Sequence, residues 1–471
     1  MEKNIITYKD YYNEEYIQII KSIIPENQYD AFTPLVYDIL LRRAYTFNQN
    51  EDEVRSDAQK VINHLLEIVF AEQSRFDQYG ENGDTLAHYI AFSMLIELNV
   101  NCYENSNFDN NQLYSTLTHE IYHAIATRMI NDRKFTTGLT YYDKNGYYHG
   151  VIFNEIFNEA AADLASSNRN LDNDINKGYH QTTGYSSITF FAPLLAYTFG
   201  IEEKELYKAG MSDRKQFYEF LSSKLPETER ENFCKSLDQV EFYLFQVRKI
   251  CNKKDRTDED LEILEDYLQS IGNFAFKTMQ TLMVNDNRYS FVNNKDYLVR
   301  EIRINDILRS QRVNDGLNAN DFNKNYSPEY FKTRYYIMVR WYIAKLDSSY
   351  SQEDRDELFK IIQDNILEKE PICLDRIDEY VKLFAKDRSI PKFEKLLPIN
   401  IELFFHFYDV RNYDNNKVYD NTEVSKMVYI AYREYVTKRL NKKKRAQNPI
   451  DEKKEDVVND EAHNDGAINI E

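Results

Sequence analysis

Three residues with the types and spacing of a metal site lie in the segment from Leu113 to Arg128, where His119, Glu120 and His123 form a His-Glu-x-x-His motif. Residues i and i+4 of an α-helix lie about one turn apart on the same face. Two imidazoles in this arrangement can bind one metal ion, and the glutamate beside the first can reach a water on that ion. The motif therefore predicts a metal centre that activates water, provided that the segment is helical.

The residues around the motif have the pattern of a buried helix. Leu113, Leu117, Ile121 and Ala124 recur at steps of three and four, and no Gly or Pro interrupts the pattern before Ile130. The sequence therefore predicts a helix from residue 113 to residue 130. Because its apolar and metal-binding faces overlap, we expect the motif at the edge of the core. The alternative interpretation is a pair of core histidines on an ordinary amphipathic helix.

The composition favours a large, mostly helical protein and disfavours several function classes. The chain has 471 residues, enough for two or three domains, with 12 Gly and 9 Pro. Its net charge of −19 argues against a nucleic-acid-binding surface. None of the 4 cysteines belongs to a Cys-x-x-Cys pair, so neither a disulfide framework nor a cysteine-based zinc site is predicted. We find no signal-peptide pattern and no apolar stretch of membrane-spanning length, which predicts a cytoplasmic protein without membrane contact.

The rest of the chain reads as helices with few exceptions. Helical periodicity runs from Tyr11 to Phe70, and Asn145-Gly146 between aromatic residues predicts two short strands within residues 136–149. Residues 227–440 carry successive helical patterns and no motif with an evident chemistry. They are predicted to form a helical accessory domain that offers a surface to a protein partner. Residues 441–471 are acidic and rich in Asn after a lysine cluster, which predicts a disordered tail.

A catalytic zinc site needs three protein ligands and leaves one position to water. Downstream of the motif, Glu155, Glu159 and Asp163 lie at i, i+4 and i+8, on one face of a predicted helix. Like charges at this spacing repel each other, and a bound cation would relieve the repulsion. Three alanines at 160–162 favour close helix packing over the alternative, which is an acidic face exposed to solvent.

The sequence His-Glu-Ile-Tyr-His, followed by Asn-Glu-Ala-Ala-Ala-Asp at 158–163, resembles the gluzincin pattern of thermolysin-like zinc metallopeptidases. The resemblance covers residues 88–200. It implies zinc held by His119, His123 and Glu159, with Asp163 orienting a ligating histidine. Glu155 is the alternative third ligand, because it also follows an Asn, as in aminopeptidase-type gluzincins. Glu159 is preferred because residue 156 is a large Ile where that variant has Gly.

The resemblance also implies the fold. We predict an α+β, predominantly helical protein with a zincin-like catalytic core, in which a small sheet lies beside the motif helix. A strand is accordingly expected in the C-terminal half of residues 90–100. The predicted divisions are an N-terminal helical part of the catalytic domain (1–87), the zincin-like core (88–226), the helical C-terminal domain (227–440) and the tail (441–471).

The activity implied is hydrolysis of a peptide bond in an intracellular protein or peptide, with Glu120 as the general base. A Tyr or His from a later segment would stabilise the oxyanion. His180 and Tyr185, in a Gly-flanked loop, are the first candidates, followed by Tyr179 and Tyr148.

Two other function classes are compatible with parts of the pattern. One is a helical interaction protein whose zincin-like core does not cut, and the long helical stretch without catalytic signals is compatible with it. A di-iron carboxylate bundle would need a second Glu-x-x-His on another helix. The sequence contains no second one, which disfavours the di-iron interpretation.

Overall fold

A computed structural model describes residues 4–63, 67–78, 85–91, 93–101, 110–131, 134–166, 186–224, 240–285, 350–369, 417–420 and 422–447, with isolated positions between 300 and 384. The protein is mostly helical, as predicted. None of its described helices combines the length and apolar character needed to cross a bilayer. Helices span Tyr8–Tyr11, Glu14–Ile23, Thr33–Thr46, Glu51–Asn63, Gln73–Asp77, Asn110–Ala126, Val151–Ser166, Ser186–Thr189, Phe191–Phe199, Glu203–Gly210, Arg214–Lys224, Asp258–Asn285, Gln352–Ile362 and Thr422–Gln447.

Short strands form four small sheets within the described residues. They are β1 (Asn4–Ile6), β2 (Glu67–Ala71), β3 (Ala87–Ile90), β4 (Leu95–Asn99), β5 (Thr127–Asn131), β6 (Lys134–Thr137), β7 (Tyr141–Tyr142), β8 (Tyr148–His149) and β9 (Lys417–Tyr419). The largest sheet has the order β2-β4-β3, with β4 parallel to β2 and antiparallel to β3. β4 confirms the strand expected in the second half of residues 90–100, and β3 packs against the helix Asn110–Ala126.

The helical pattern predicted up to Phe70 is wrong at its end, where β2 begins at Glu67. Ile68 and Phe70 are buried, whereas Glu67 and Val69 are exposed. This alternation with a period of two is that of a strand with one face on the core. A short apolar run fits both the helical period and the strand period, so the sequence pattern did not distinguish a helix from a strand here.

The helix Asn110–Ala126, called the motif helix below, ends four residues earlier than predicted, because Thr127–Asn131 form β5. Met129 and Ile130 are 54% and 55% exposed, so they do not continue the buried face of the helix. β5 pairs with β6 in an antiparallel hairpin. The hairpin expected around Asn145-Gly146 is formed by β7 and β8.

The helix Thr33–Thr46, called the central helix, lies in the middle of the core and is buried along most of its circumference. Its residue Arg42 is 1% exposed and pairs with Asp38 at 3.0 Å. The guanidinium of Arg42 also lies 4.9 Å from the ring centres of Tyr11 and Tyr114. Because Tyr114 belongs to the motif helix, this buried charge ties the two helices together.

The next residue of the central helix makes a second link of the same kind. Arg43 pairs with Asp57 at 2.8 Å, and its guanidinium lies 4.5 Å from the ring centre of Tyr122. Tyr122 is eight residues after Tyr114 and stands inside the His-Glu-x-x-His motif. Two adjacent arginines therefore hold the motif helix at two points about two turns apart.

The core around the motif helix includes segments beyond residue 226. Side chains of Asp258–Asn285 and Thr422–Gln447 belong to the same buried cluster as Leu117 and Ile121. β9 pairs in parallel with β1, and Asn110 Nδ2 donates to the carbonyl of residue 425 at 3.3 Å. A separate buried cluster lies between residues 339 and 384. The predicted boundary at residues 226 and 227 falls outside the described residues.

The helix Thr422–Gln447, called the C-terminal helix, takes in the first seven residues of the segment predicted as a disordered tail. Its buried side chains are Val424, Val428 and Ala431, whereas Tyr429 is 57% exposed. It packs on the motif helix and on the central helix. Its removal from the core would therefore expose the helix that carries the histidines.

We predict that Val428→Asp destabilises the part of the protein that contains the motif, by about 3 kcal/mol or more, because it buries a carboxylate without a partner. Tyr429→Asp is the matched control, and we expect a change within about 0.5 kcal/mol at this exposed position. The free energy of unfolding by urea measures both. Equal stabilities of the two variants would mean that the C-terminal helix does not belong to this core.

Candidate metal centre

The three motif residues lie on the face of the motif helix that meets Val151–Ser166, called the carboxylate helix below. His119, Glu120 and His123 are all buried, with exposed fractions of 5–7%. Each offers a ligand atom, and these atoms lie within 4.8 Å of one another. The Nε2 atoms of the two histidines are 2.9 Å apart. The helical spacing thus brings both imidazoles to one point, as predicted.

The distances separate the two candidate third ligands. Glu155 Oε2 lies 3.4 Å from Nε2 of His119 and 3.3 Å from Nε2 of His123. Glu159 Oε2 instead lies 2.5 Å from Nδ1 of His119, on the outer side of that ring. Glu155 therefore faces the same point as the two Nε2 atoms. The geometry reverses the preference for Glu159 drawn from the sequence.

The three inward atoms are spaced as a tetrahedral metal site requires. Bonds of about 2.0–2.1 Å at tetrahedral angles place neighbouring ligand atoms roughly 3.3 Å apart. The separations among Nε2 of His119, Nε2 of His123 and Oε2 of Glu155 are 2.9, 3.4 and 3.3 Å. Glu155 Oε2 is buried and forms no hydrogen bond with the described residues. A cation is the partner that this atom fits, and two N donors with one O donor are typical of zinc.

The outer nitrogens of both rings have polar neighbours on the carboxylate helix. Glu159 approaches Nδ1 of His119, and the side-chain amide of Asn154 lies 3.1 Å from Nδ1 of His123. The oxygen and the nitrogen of a side-chain amide have nearly the same shape. With the Asn154 amide rotated by 180°, its oxygen would accept a hydrogen bond from Nδ1–H of His123. Such neighbours fix the tautomer and orientation of a ligating imidazole. Asn158 Nδ2 adds a hydrogen bond to the carbonyl of His119, at 2.8 Å.

Charge in the site is balanced between the two helices. Burial alone would lower the pKa of His119, but Glu159 and Glu155 hold it well above its usual value. Burial would raise the pKa of Glu155, yet His123 and His119 hold it well below the ordinary range of a glutamate. The carboxylates of Glu155 and Glu159 thus favour positive charge at the position of the two imidazoles.

Glu120 has a different environment from the other carboxylates. Burial raises the pKa of Glu120 above its usual value, against the opposing effect of the imidazoles of His119 and His123. It forms no ion pair within 4.0 Å among the described residues. A buried carboxylate with a raised pKa is suited to accept a proton and return it.

The other predicted site residues are placed as follows. His180, Tyr185 and Tyr179 lie outside the described residues. Asp163 is buried one turn beyond Glu159, and the neighbours of the outer histidine nitrogens given above are Glu159 and Asn154. The role of Asp163 in orienting a ligating histidine stays a prediction.

Tyr148, the last of the predicted oxyanion donors, is linked to the motif helix through a series of hydrogen bonds. Its hydroxyl donates to Thr140 Oγ1 at 2.8 Å. Thr140 Oγ1 also accepts from the backbone N–H of Thr137, whose hydroxyl is 3.1 Å from that of Thr127. Thr127 in turn donates to the carbonyl of His123 at 2.8 Å. This chain of hydroxyls connects Tyr148 to the motif helix.

The third ligand was ambiguous in the sequence for a specific reason. Asn-Glu occurs twice, at 154–155 and at 158–159, and each Glu has a carboxylate four residues later. The two copies differ by four residues, hence by about one helical turn, and both present the same face. Which glutamate faces the two Nε2 atoms depends on how far the carboxylate helix is displaced along the motif helix. The sequence pattern of a single chain gives no information about that displacement.

Comparisons of the chain with protein-family models, with curated proteins and with solved structures gave no match.

The backbone of Gly138 lies close to the side chain of Asn154. It has a φ of +53°, and a Cβ there would lie 2.3 Å from Oδ1 of Asn154, the residue whose amide meets His123. We predict that Gly138→Ala lowers zinc affinity by about 10- to 100-fold, because it displaces that amide. Gly146 is the matched control, since its φ is +86° and a Cβ there would have no neighbour within 4 Å.

Both substitutions carry a backbone strain of about 1–2 kcal/mol, so stability alone does not distinguish them. Zinc affinity, measured by competition with a chromogenic chelator, does. Equal affinities of Gly138→Ala and Gly146→Ala would show that Asn154 does not position His123.

Proposed function

We propose that this protein is a zinc-dependent peptide hydrolase whose metal is held by His119, His123 and Glu155. The observation that carries the proposal is the position of Glu155 Oε2, buried without a hydrogen bond to described residues and 3.3–3.4 Å from both Nε2 atoms. Zinc, when bound, would supply a Lewis acid that polarises the substrate carbonyl and lowers the pKa of water. Glu159 is the positioning residue that orients His119 through its Nδ1.

Glu120 is the general base of the proposed reaction. Its place beside His119 in the motif, together with its buried position, puts a proton acceptor next to the ligand set. Glu120 takes a proton from the attacking water and donates it to the leaving amine as the C–N bond breaks. The raised pKa of Glu120 favours the first of these steps, because a carboxylate with a higher pKa is a stronger base.

Tyr148 is the residue that we propose to stabilise the carbonyl oxygen of the substrate as it gains negative charge. Burial raises the pKa of Tyr148, with Tyr142 and Glu155 contributing, so its hydroxyl stays protonated and can donate. When substrate binds, the hydroxyl of Tyr148 would donate its hydrogen bond to the carbonyl oxygen of the substrate instead of to Thr140.

The proposed substrate is a cytoplasmic protein or peptide, and zinc is the proposed cofactor. A second candidate function is partner binding by a zincin-like protein without catalysis. The large second buried cluster between residues 339 and 384, which contains none of the site residues, is the observation that favours it. The two candidates differ in whether Glu120 matters for function.

The first test is zinc content, measured by mass spectrometry, beside hydrolysis of a peptide library. We expect about one zinc per chain in the wild type and in Glu120→Gln, but loss of zinc in Glu155→Gln and in His123→Ala. Glu159→Gln should keep zinc with an affinity reduced by about 10- to 100-fold. Hydrolysis should disappear in Glu120→Gln.

Glu155 and Glu159 are matched controls for each other, because they lie one turn apart on one helix and the substitutions are isosteric. Zinc kept in Glu155→Gln and lost in Glu159→Gln would return the third ligand to Glu159. Full function of Glu120→Gln would favour partner binding. A wild-type protein that takes up no zinc would refute the metal site.

We predict that Tyr148→Phe lowers kcat by about 10²-fold, the usual effect of removing one oxyanion donor, and leaves zinc content unchanged. Tyr147→Phe is the matched control, since Tyr147 is the adjacent residue and is 68% exposed. Steady-state kinetics on a cleaved library peptide measure both. Unchanged kcat in Tyr148→Phe would assign the donor to another residue.

A further inference from the structure

The side chain of Asp315 is a buried carboxylate that the proposed reaction does not use. Asp315 is 3% exposed. Its Oδ1 accepts hydrogen bonds from Nε2 of Gln311, at 2.8 Å, and from the thiol of Cys251, at 3.3 Å. Cys251 is the last residue of the helical stretch 240–251. Asp315 therefore joins the turn in which it lies to the end of another helix.

Asp315 also lies at the carboxyl end of a helix of its own. Gln311 and Arg312 are helical, and the backbone N–H of Asp315 donates to the carbonyl of Gln311 at 2.9 Å. The backbone N–H of Leu317 donates to the carbonyl of Arg312, also at 2.9 Å, and Gly316 has a φ of +77°. A left-handed Gly after the last turn is a usual end of an α-helix. The carbonyls at this end carry partial negative charge, which disfavours a further anion.

No cation of the described residues forms an ion pair with this carboxylate. The guanidinium of Arg256 donates to the backbone carbonyl of Asp315 through Nη1, at 2.8 Å, and to that of Cys251 through Nη2, at 2.9 Å. Oδ2 of Asp315 is buried and has no hydrogen bond to described residues. The donors to the carboxylate are thus a neutral amide and a neutral thiol. The contacts of Asp315 with Gln311, Cys251 and Arg256 are called the Asp315 junction below.

Two further cations of these segments have carboxylates of their own. Arg312 pairs with Glu265 of the helix Asp258–Asn285. Lys253 pairs at 2.5 Å with Asp260, in the first turn of the same helix. Both cations are therefore engaged away from the buried carboxylate.

The ionised form of Asp315 is disfavoured by its burial, by its place at a helix end and by the lack of a charged donor. Burial raises the pKa of Asp315 to about 6, against the opposing effects of its two hydrogen-bond donors and of Arg256. An aspartate in an unfolded chain has a pKa of about 3.9. The carboxyl therefore keeps its proton to a higher pH inside the junction than outside it.

We propose that the Asp315 junction is a pH-sensitive switch, which is closed while the carboxyl of Asp315 carries a proton and opens more readily once it is ionised. The segments that it joins belong to the core around the motif helix, because Leu244 and Ile307 lie in the same buried cluster as Leu117. The switch does not depend on the proposed hydrolysis.

The direction of the pH dependence follows from the two pKa values. Between about pH 4 and about pH 6 the closed junction holds a proton that the open form releases, so opening becomes more favourable as the pH rises through this window. At higher pH both forms are ionised and the dependence ends. The equilibrium constant for opening should therefore rise about 10-fold between about pH 5 and about pH 7.5.

The test is hydrogen exchange at the backbone amides of Asp315 and Leu317 in the full chain, followed by mass spectrometry. Protection factors, which correct for the intrinsic pH dependence of exchange, measure the opening of this turn. In the wild type we expect protection to be about 10-fold lower at about pH 7.5 than at about pH 5. In Asp315→Asn, whose neutral side chain has the shape of the protonated carboxyl, we expect the same protection at both pH values.

Asp255→Asn is the matched control, because Asp255 is an exposed aspartate between Cys251 and Arg256. It should keep the pH dependence of the wild type. Cys251→Ala removes one donor to the carboxylate without changing the charge. Because the ionised form then has one hydrogen bond fewer, the pKa of Asp315 should rise and the fall in protection should move to higher pH.

Two results would overturn the proposal. One is a fall in protection that is equal in the wild type and in Asp315→Asn, since another group would then be titrating. The other is a wild type with the same protection at both pH values. If Asp315→Asn loosens the turn at every pH, Cys251→Ala decides, and an unchanged pH profile in that variant would refute the switch. Because the zinc-free variant Glu155→Gln should keep the pH response, failure of the metal site leaves this test intact.

Discussion

The fold around the site depends on the balance of charge between two buried helices. Two imidazoles of the motif helix face the carboxylates of Glu155 and Glu159, and all four groups are at most 14% exposed. Removal of one partner from a buried ion pair leaves an uncompensated charge and typically costs several kcal/mol. Separation of the two helices would therefore leave these groups without their partners. The contacts of the candidate metal site thus also stabilise the packing of its two helices.

A second set of buried charges holds the motif helix from its opposite side. Arg42 and Arg43 of the central helix contact Tyr114 and Tyr122, and each arginine has its own aspartate. The motif helix thus has polar contacts on two faces. Its apolar residues Leu117 and Ile121 lie between them in the core. This explains how a helix with two histidines, a glutamate and two threonines can be buried almost completely.

The sequence predicted what local patterns determine and missed what depends on the relative position of elements. The motif helix, the carboxylate helix, β4 and the hairpin of β7 and β8 follow from periodicity, turn residues or resemblance. The candidate third ligand could not be chosen from the sequence, because two Asn-Glu pairs one turn apart place their glutamates on the same face of the helix. β2 and β5 were read as helix. In β2 the apolar run from Ile68 to Ala71 fits both periods, and before β5 no Gly or Pro marks the end of the motif helix. The return of the C-terminal helix to the core is a long-range contact, and no local signal marks it.

The environment of Glu120 separates a catalytic metal site from a structural one. A structural zinc site satisfies four ligands and has no use for a further buried carboxylate. Here Glu155 faces both Nε2 atoms and Glu159 orients His119, whereas Glu120 is 7% exposed and has no hydrogen bond or ion pair with described residues. A carboxylate without such partners is costly to bury, and its raised pKa reflects that cost. A helix optimised for stability or for partner binding would carry an apolar residue at this position. A helix that accepts and returns a proton next to a metal would need this glutamate, and on this ground we propose hydrolysis rather than partner binding.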